Sequence, residues 1–227
     1  MSAFFVTGID TDVGKTLVTG LLARGAMACG ARVITQKLVQ TGCVGIPEDV
    51  ARHREIMGLS PATGELAALV CPYVFSYPGS PHLAARVDGE VIDPARLAAA
   101  TRALEERHDV VLVEGAGGLY VPLTRDYFII DHVRDQRLPL ILVTSARLGS
   151  INHTMLALEA CRREGIRVAA VVFNRYPRVD GVLERETRIF LRERVEAGFP
   201  GCRWLKVPLV KRELYPLLDA WFLLDPA

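Results

Sequence analysis

The sequence predicts an α/β fold, a parallel sheet with helices on both faces, organised as one domain over residues 1–227. Two observations carry that prediction. Short runs of continuous apolar and β-branched residues recur along the chain, and segments with apolar residues at helical spacing separate them. A chain of 227 residues that is 50% hydrophobic and 23% charged is also long enough to bury a full core.

The elements follow in order. Ala3 to Thr7 is the first strand and ends at Gly8; Lys15 to Cys29 has helical spacing and stops at Gly30. Arg32 to Val39 is a second strand, expected to lie beside the first, and Asp49 to Met57 is a helix closed by Gly58. Four prolines with several Gly and Ser mark Ser60 to Pro81 as a mostly irregular insertion on the substrate side. Asp93 to Arg107 opens with Asp-Pro, a cap and first-turn pair, and leads into the buried strand Asp109 to Val113. Pro139 to Thr144 (strand), Ile151 to Glu164 (helix), Arg167 to Phe173 (strand), Gly181 to Val195 (helix) and Arg203 to Val207 (a final short strand) complete the alternation.

Charge narrows the function. Lys plus Arg number 27 against 26 Asp plus Glu, and no long basic run offers nucleic acid or an anionic membrane a footprint. The five cysteines are scattered, with no pair at metal-ligand spacing, as expected of free thiols in a reducing cytoplasm. Met1 to Thr7 turns polar too soon for a signal peptide. Only four of the 27 basic residues are lysines (Lys15, Lys37, Lys206 and Lys211), so each lysine invites a reason.

The loop after the first strand reads Gly8-Ile9-Asp10-Thr11-Asp12-Val13-Gly14-Lys15-Thr16, with Gly-Lys-Thr at the start of the first helix. Phosphate oxygens need several converging donors. Backbone N–H groups at a helix N-terminus supply them, Lys15 adds charge and Thr16 a hydroxyl for Mg²⁺, so the fold is of P-loop NTPase type. Five residues separate the glycines where the strict pattern has four. Strand Val110 to Val113 delivers Glu114-Gly115-Ala116-Gly117-Gly118 at its carboxyl end, aiming Glu114 at the phosphates unless it is a solvated loop carboxylate. Asp49 is a second metal candidate or a helix cap. Lys37, if not a surface lysine, brings a second ammonium to the same sheet edge, and two ammonium groups suit phosphoryl transfer, which depends on positioning and charge stabilisation. Asn174 directly follows a strand and reads as a base-binding amide or a turn residue. Leu148 to Asn152 precede a helix whose N-terminal N–H groups can receive a carboxylate, unless Asn152 merely caps that helix.

Taken together, Gly8 to Thr16, Lys37 to Gly42, Ser80-Pro81-His82-Leu83-Ala84-Ala85, Glu114 to Gly118 and Leu148 to Thr154 resemble the dethiobiotin synthetase family over most of the chain. The lengthened loop, the Ser-Pro-His segment and the Leu-Gly-x-Ile-Asn-His segment, in that order, are its specific part. The sequence departs from the family at Leu38, usually Pro, and Ile9, usually Thr, and is only loosely similar after Phe199. The resemblance implies an ATP-dependent reaction in which 7,8-diaminononanoate takes up CO₂, is phosphorylated, and closes a ring with loss of phosphate. It further implies that Asp12, Val13, Gly14, Lys15, Thr16 and Leu17 bind ATP, with Gly115, Ala116 and Gly117 beside the nucleotide. Thr16, Asp49 and Glu114 would hold Mg²⁺; Lys37, Lys15 and Thr11 would serve catalysis; Thr41 would touch substrate. Asn174, Arg175, Lys206, Val207, Pro208 and Glu213 would surround adenine. Gly149, Ser150 and Asn152 would receive the substrate carboxylate across the two-fold interface of a homodimer.

Rival classes are the corrin-type amidoligases, for which the chain is too short, and the partition-type nucleotide switches. The latter carry a lysine six residues before the final threonine of the loop; here that position is Asp10. A non-enzymatic nucleotide-binding scaffold is the third alternative.

Overall fold

A computed structural model describes residues 2–210 and 215–224. Six parallel strands form one sheet: β1 (Ser2–Gly8), β2 (Val33–Lys37), β3 (Val110–Glu114), β4 (Leu140–Ser145), β5 (Val168–Asn174) and β6 (Arg203–Val207). Their order is β2-β3-β1-β4-β5-β6. The helices are α1 (Lys15–Ala28), α2 (Glu48–Met57), α3 (Gly64–Val70), α4 (Pro81–Val87), α5 (Pro94–Glu105), α6 (Ile129–Asp135), α7 (Ser150–Arg163) and α8 (Gly181–Gly198), with a 3₁₀ turn at Trp221–Leu223.

Continuous apolar strands require cover on both faces, and both are covered. Alternate residues of β1 divide between two cores, Ala3 and Phe5 into one and Phe4 and Val6 into the other. The Phe4 face packs on α1, α2 and the C-terminal turn, where Phe222 meets Phe4 edge to face at 6.2 Å. α2 lies close on α1 because Gly20 has no side chain: a Cβ there would stand 2.7 Å from Ile56 Cδ1 and 3.0 Å from Ile56 Cβ. That approach sets the position of α2, which carries Asp49 and His53.

One expectation is corrected, and three short helices are added. β2 does not lie beside β1; β3 enters between them, pairing Phe5 with Val113 on one side and Gln36 with Val113 on the other. The Pro-rich stretch from Ser60 to Pro81 is mostly irregular, as expected, with one short helix inside it, Gly64–Val70. The helices α4 and α6 have no counterpart in the sequence reading; the start of α6 is fixed by the Asp131 carboxylate accepting from Phe128 N at 2.8 Å. Elsewhere the elements fall within a few residues of expectation, and Asp93 caps α5 by accepting from Ala95 N.

Candidate active site

The loop between β1 and α1 is held in a shape that favours anions. Asp12 and Gly14 both adopt positive φ, 55° and 90°, turning successive N–H groups inward. Gly14 is constrained twice over, since a Cβ would also stand 2.2 Å from Asn174 Nδ2. Asn174, buried at the end of β5, donates from Nδ2 to Val13 O at 2.9 Å and accepts at Oδ1 from Tyr176 N at 3.2 Å. It is thus a strut beneath the loop, and the bond from Tyr176 N makes it a turn residue as well. Lys15 curls over the loop, donating from Nζ to Asp10 O at 2.9 Å. Burial pushes the pKa of its ammonium down, with Lys37 adding to the effect and Glu114 opposing it. The Asp10 carboxylate accepts from Thr11 N and pairs with Arg147 at 2.8 Å.

Beneath the loop sits a buried charge cluster. The β2–β3 register places Lys37 opposite Glu114, both below one tenth exposed. Lys37 Nζ lies 2.5 Å from Asp49 Oδ2 and 2.8 Å from Glu114 Oε1, and donates to Gly115 O at 3.2 Å. Thr16 Oγ1 stands 2.9 Å from Asp49 Oδ1 and 3.1 Å from Glu114 Oε1. His53 Nε2 approaches Glu114 Oε2 at 2.6 Å. Burial alone would lower the pKa of Lys37, yet Glu114 and Asp49 outweigh it and hold the ammonium above its ordinary range. Burial likewise works against ionised Glu114, and Lys37 with His53 overcomes it, keeping the carboxyl well below the usual range. A solvated Glu114 and a surface Lys37 are both ruled out by this geometry. Nor does Asp49 cap its helix: the N-cap is Pro47, and Asp49 points to Thr16 and Lys37.

Thr16, Asp49 and Glu114 therefore converge as three hard oxygens from three different elements. Among the described residues no three His, Cys, Asp or Glu side chains form a metal cage. Two carboxylates and a hydroxyl suit a cation that takes its other ligands from phosphate and water, as Mg²⁺ does.

A cavity of about 680 Å³ opens over this cluster. Its walls include Thr11, Asp12, Gly14 and Lys15 of the loop, Ala116 and Gly117 after β3, and Gln40, Thr41, Ser80 and Pro81. The Ser-Pro-His segment thus reaches the site at the start of α4. Gly115 packs against the Phe5 ring, where a Cβ would lie at 2.8 Å. Arg175 follows the strut Asn174 and pairs with Glu184 at 2.7 Å. Val207 lies in register with Asn174, so Lys206, Val207 and Pro208 come to the same edge, Lys206 exposed. Glu213 falls outside the described residues. At the other extreme α7 is capped by Gly149 rather than Asn152; Ser150 is buried against Ser145, and Asn152 is exposed.

Three residues escaped the sequence reading. Gln40 accepts from Asp49 N, at 3.3 Å, and so steadies the start of α2. His53 stands four residues after Asp49, a spacing that puts both on one helix face. Tyr176 lines the cavity two residues beyond Asn174.

Comparison with known proteins identifies the family. A family model described as an AAA domain matches residues 2–197. The ATP-dependent dethiobiotin synthetase of Haemophilus ducreyi is 45% identical over 88% of this chain and 95% of its own length. The corresponding protein of Pasteurella multocida is 47% identical over 87% and 93%, and that of Chlorobaculum tepidum 51% identical over 81% and 77%. Among solved structures, a ParA family ATPase from Chlorobium tepidum covers 92% of this chain and 85% of its own, with a TM-score of 0.53 and 12% identity. The signal recognition particle receptor FtsY from Elizabethkingia anophelis, in complex with GDP, covers 89% and 55%, with a TM-score of 0.54 and 14% identity. At those identities the likeness concerns the fold alone. Among the described residues no helix is long and apolar enough to cross a membrane.

Proposed function

Since the chain belongs to the ATP-dependent dethiobiotin synthetase family, we propose that its buried charge cluster and the cavity above it carry out the ligase reaction of biotin synthesis on 7,8-diaminononanoate, CO₂ and ATP. The observation that carries this reading is the meeting of Lys15, Thr16, Lys37, Asp49 and Glu114 around one cavity at the end of the sheet.

The amine of the substrate takes up CO₂ as a carbamate, whose oxygen attacks the γ-phosphorus of ATP while ADP leaves. The second amine then attacks the carbamoyl carbon and phosphate departs, closing the ring. The loop backbone with Lys15 grips the ground-state phosphates, and Thr11 lies on the same loop. Lys37 is the group best placed to meet negative charge that develops during transfer, being held charged by two carboxylates. Thr16, Asp49 and Glu114 would hold Mg²⁺, which when bound supplies neutralising charge to the β- and γ-phosphates. Thr41 faces the substrate, and Arg175 and the Lys206 to Pro208 edge face the base, with Asn174 bracing the loop from below and Tyr176 lining the cavity.

The phosphate loop has no means of reading the far carboxylate of the substrate. The start of α7, where Gly149 and Asn152 are exposed and Ser150 is buried between them, is the candidate, reached from a second subunit of a homodimer. Exposed Leu148, Ile151 and Leu156 around it give such an interface apolar area. All five cysteines are free thiols, in keeping with a cytoplasmic enzyme. The test is direct: protein, diamine, bicarbonate, Mg²⁺ and ATP should yield dethiobiotin by mass spectrometry, with phosphate release that needs both diamine and bicarbonate. Phosphate release independent of the diamine would point instead to a nucleotide switch.

A further inference from the structure

His53 is wholly buried, and its two ring nitrogens are treated very differently. Nε2 lies 2.6 Å from Glu114 Oε2, while buried Nδ1 has no hydrogen-bond partner among the described residues. An ionised carboxylate only accepts, so Nε2 carries the proton and donates it. A buried polar atom without a partner weakens a fold, and a leucine at this position would avoid that cost. Something other than packing accounts for an imidazole here.

The geometry points to His53 as a positioning residue that orients Glu114 for cation binding. Glu114 uses its oxygens separately: Oε2 takes the His53 hydrogen bond, and Oε1 faces both Lys37 Nζ at 2.8 Å and Thr16 Oγ1 at 3.1 Å. The terminal torsion of a glutamate is soft and roughly two-fold. Without His53 nothing described holds Oε2, and the Lys37 ammonium is free to draw both oxygens to itself, turning the carboxylate away from Thr16. With His53 in place the Oε1 lone pairs stay where Thr16 and Asp49 present theirs. Asp49 and His53 sit one turn apart on α2, so the helix docks both halves of the arrangement at once, Asp49 on Lys37 and Thr16, His53 on Glu114. This is a carboxylate orientation held from the second layer, of the kind that tunes metal sites in general. It rests on the reading of Glu114 as a cation ligand.

Two substitutions separate the nitrogens. His53→Gln places an amide nitrogen near the position of Nε2, whereas His53→Asn reaches only the position of Nδ1. The affinity of each variant for ADP is measured by calorimetry across a Mg²⁺ titration and again in its absence. In His53→Asn the Mg²⁺ concentration giving half of the metal-dependent gain in affinity should rise about tenfold. ADP affinity without Mg²⁺ should stay within twofold of the unsubstituted protein, and His53→Gln should restore the Mg²⁺ response to within about threefold. The same displacement should show in the Mg²⁺ dependence of turnover. Equal Mg²⁺ responses in the two variants, or a response in His53→Asn matching the unsubstituted protein, would overturn the inference. Glu114→Gln is the control for its premise: an unchanged Mg²⁺ response there would instead overturn the assignment of Glu114 as a ligand.

Discussion

The carboxyl edge of the sheet has two halves built on opposite principles. Under β2, β3 and β1, the charges of Lys15, Lys37 and Glu114 and the ring of His53 are all below one tenth exposed; Glu114 binds Lys37 and His53, and Lys15 donates to Asp10 O. Beyond β4, β5 and β6 buried struts alternate with open groups: Asn174, Ser150 and Val207 are buried, whereas Tyr176 is 61% exposed, Leu148 85%, and Asn152 and Lys206 are exposed as well. A buried charge left without its partner is strongly destabilising, so the first half is completed within this chain. Solvated groups carry no such penalty and can be presented for a ligand or a second copy to cover. On the function proposed above, phosphate chemistry is organised in advance in this fold, and recognition of the base and of the far end of the substrate falls to the exposed half.

The comparison breaks most severely at Lys37. Lys37→Ala should lower kcat about 10²-fold or more with little change in ATP affinity, as for loss of a contact made in the transition state. Near-normal turnover would show that the buried half is structural rather than catalytic.

The next largest effect lies at the seam between the halves, on the chain that links β3 to β4. His132 on α6 is wholly buried, neither ring nitrogen has a partner among the described residues, and the Tyr127 ring meets it edge on at 6.4 Å. Burial, against a weaker pull from Asp135, brings its pKa down to about 4. Between that value and the ordinary one near 6.5, the unfolded chain binds more protons than the native one. Stability from this group is therefore full above about pH 6.5 and lost as the pH falls towards 4, by up to about 3 kcal/mol. Urea unfolding of His132→Phe beside the unsubstituted protein should show a difference that moves in favour of the variant over this range. A constant difference would mean that the ring is already hydrogen-bonded or charged.

Smallest of the three is the effect at Asn152 in the exposed half. Asn152→Ala should raise the KM for the diamine about tenfold, the loss of a hydrogen bond to a charged group. Mixed with Lys37→Ala chains it should regain activity, because a heterodimer has one site with both residues intact. Exchange of subunits without any such gain would place Asn152 and Lys37 of the same chain at one site.

The difference between the halves also governs what the sequence discloses. The loop Gly8 to Thr16, Lys37 and Glu114 declare themselves because polar residues at the ends of apolar strands are conspicuous. His53 does not, for its meaning depends on Glu114, 61 residues away, and on the close packing of α2 against Gly20. Strand order is similarly hidden: nothing local in Val33–Lys37 tells that β3 will stand between it and β1. The helix Gly64–Val70 was masked by the prolines around it, although its own seven residues contain none. The sequence leaves Asn174 as a base-binding amide or a turn residue; its turn bond from Tyr176 N is local, but its bond to Val13 O, 161 residues back in the chain, lies beyond any local pattern.

That insertion of β3 has a consequence during synthesis. When β1 and β2 have left the ribosome they have no strand between them. Lys37 waits a further 77 residues for Glu114, roughly 4 to 15 s at ordinary elongation rates of 5–20 residues per second. Through that interval two apolar strands present unpaired edges to their surroundings. Lys37 near the end of the second is still hydrated then, a charge that discourages stray strand pairing before it becomes the centre of the buried cluster.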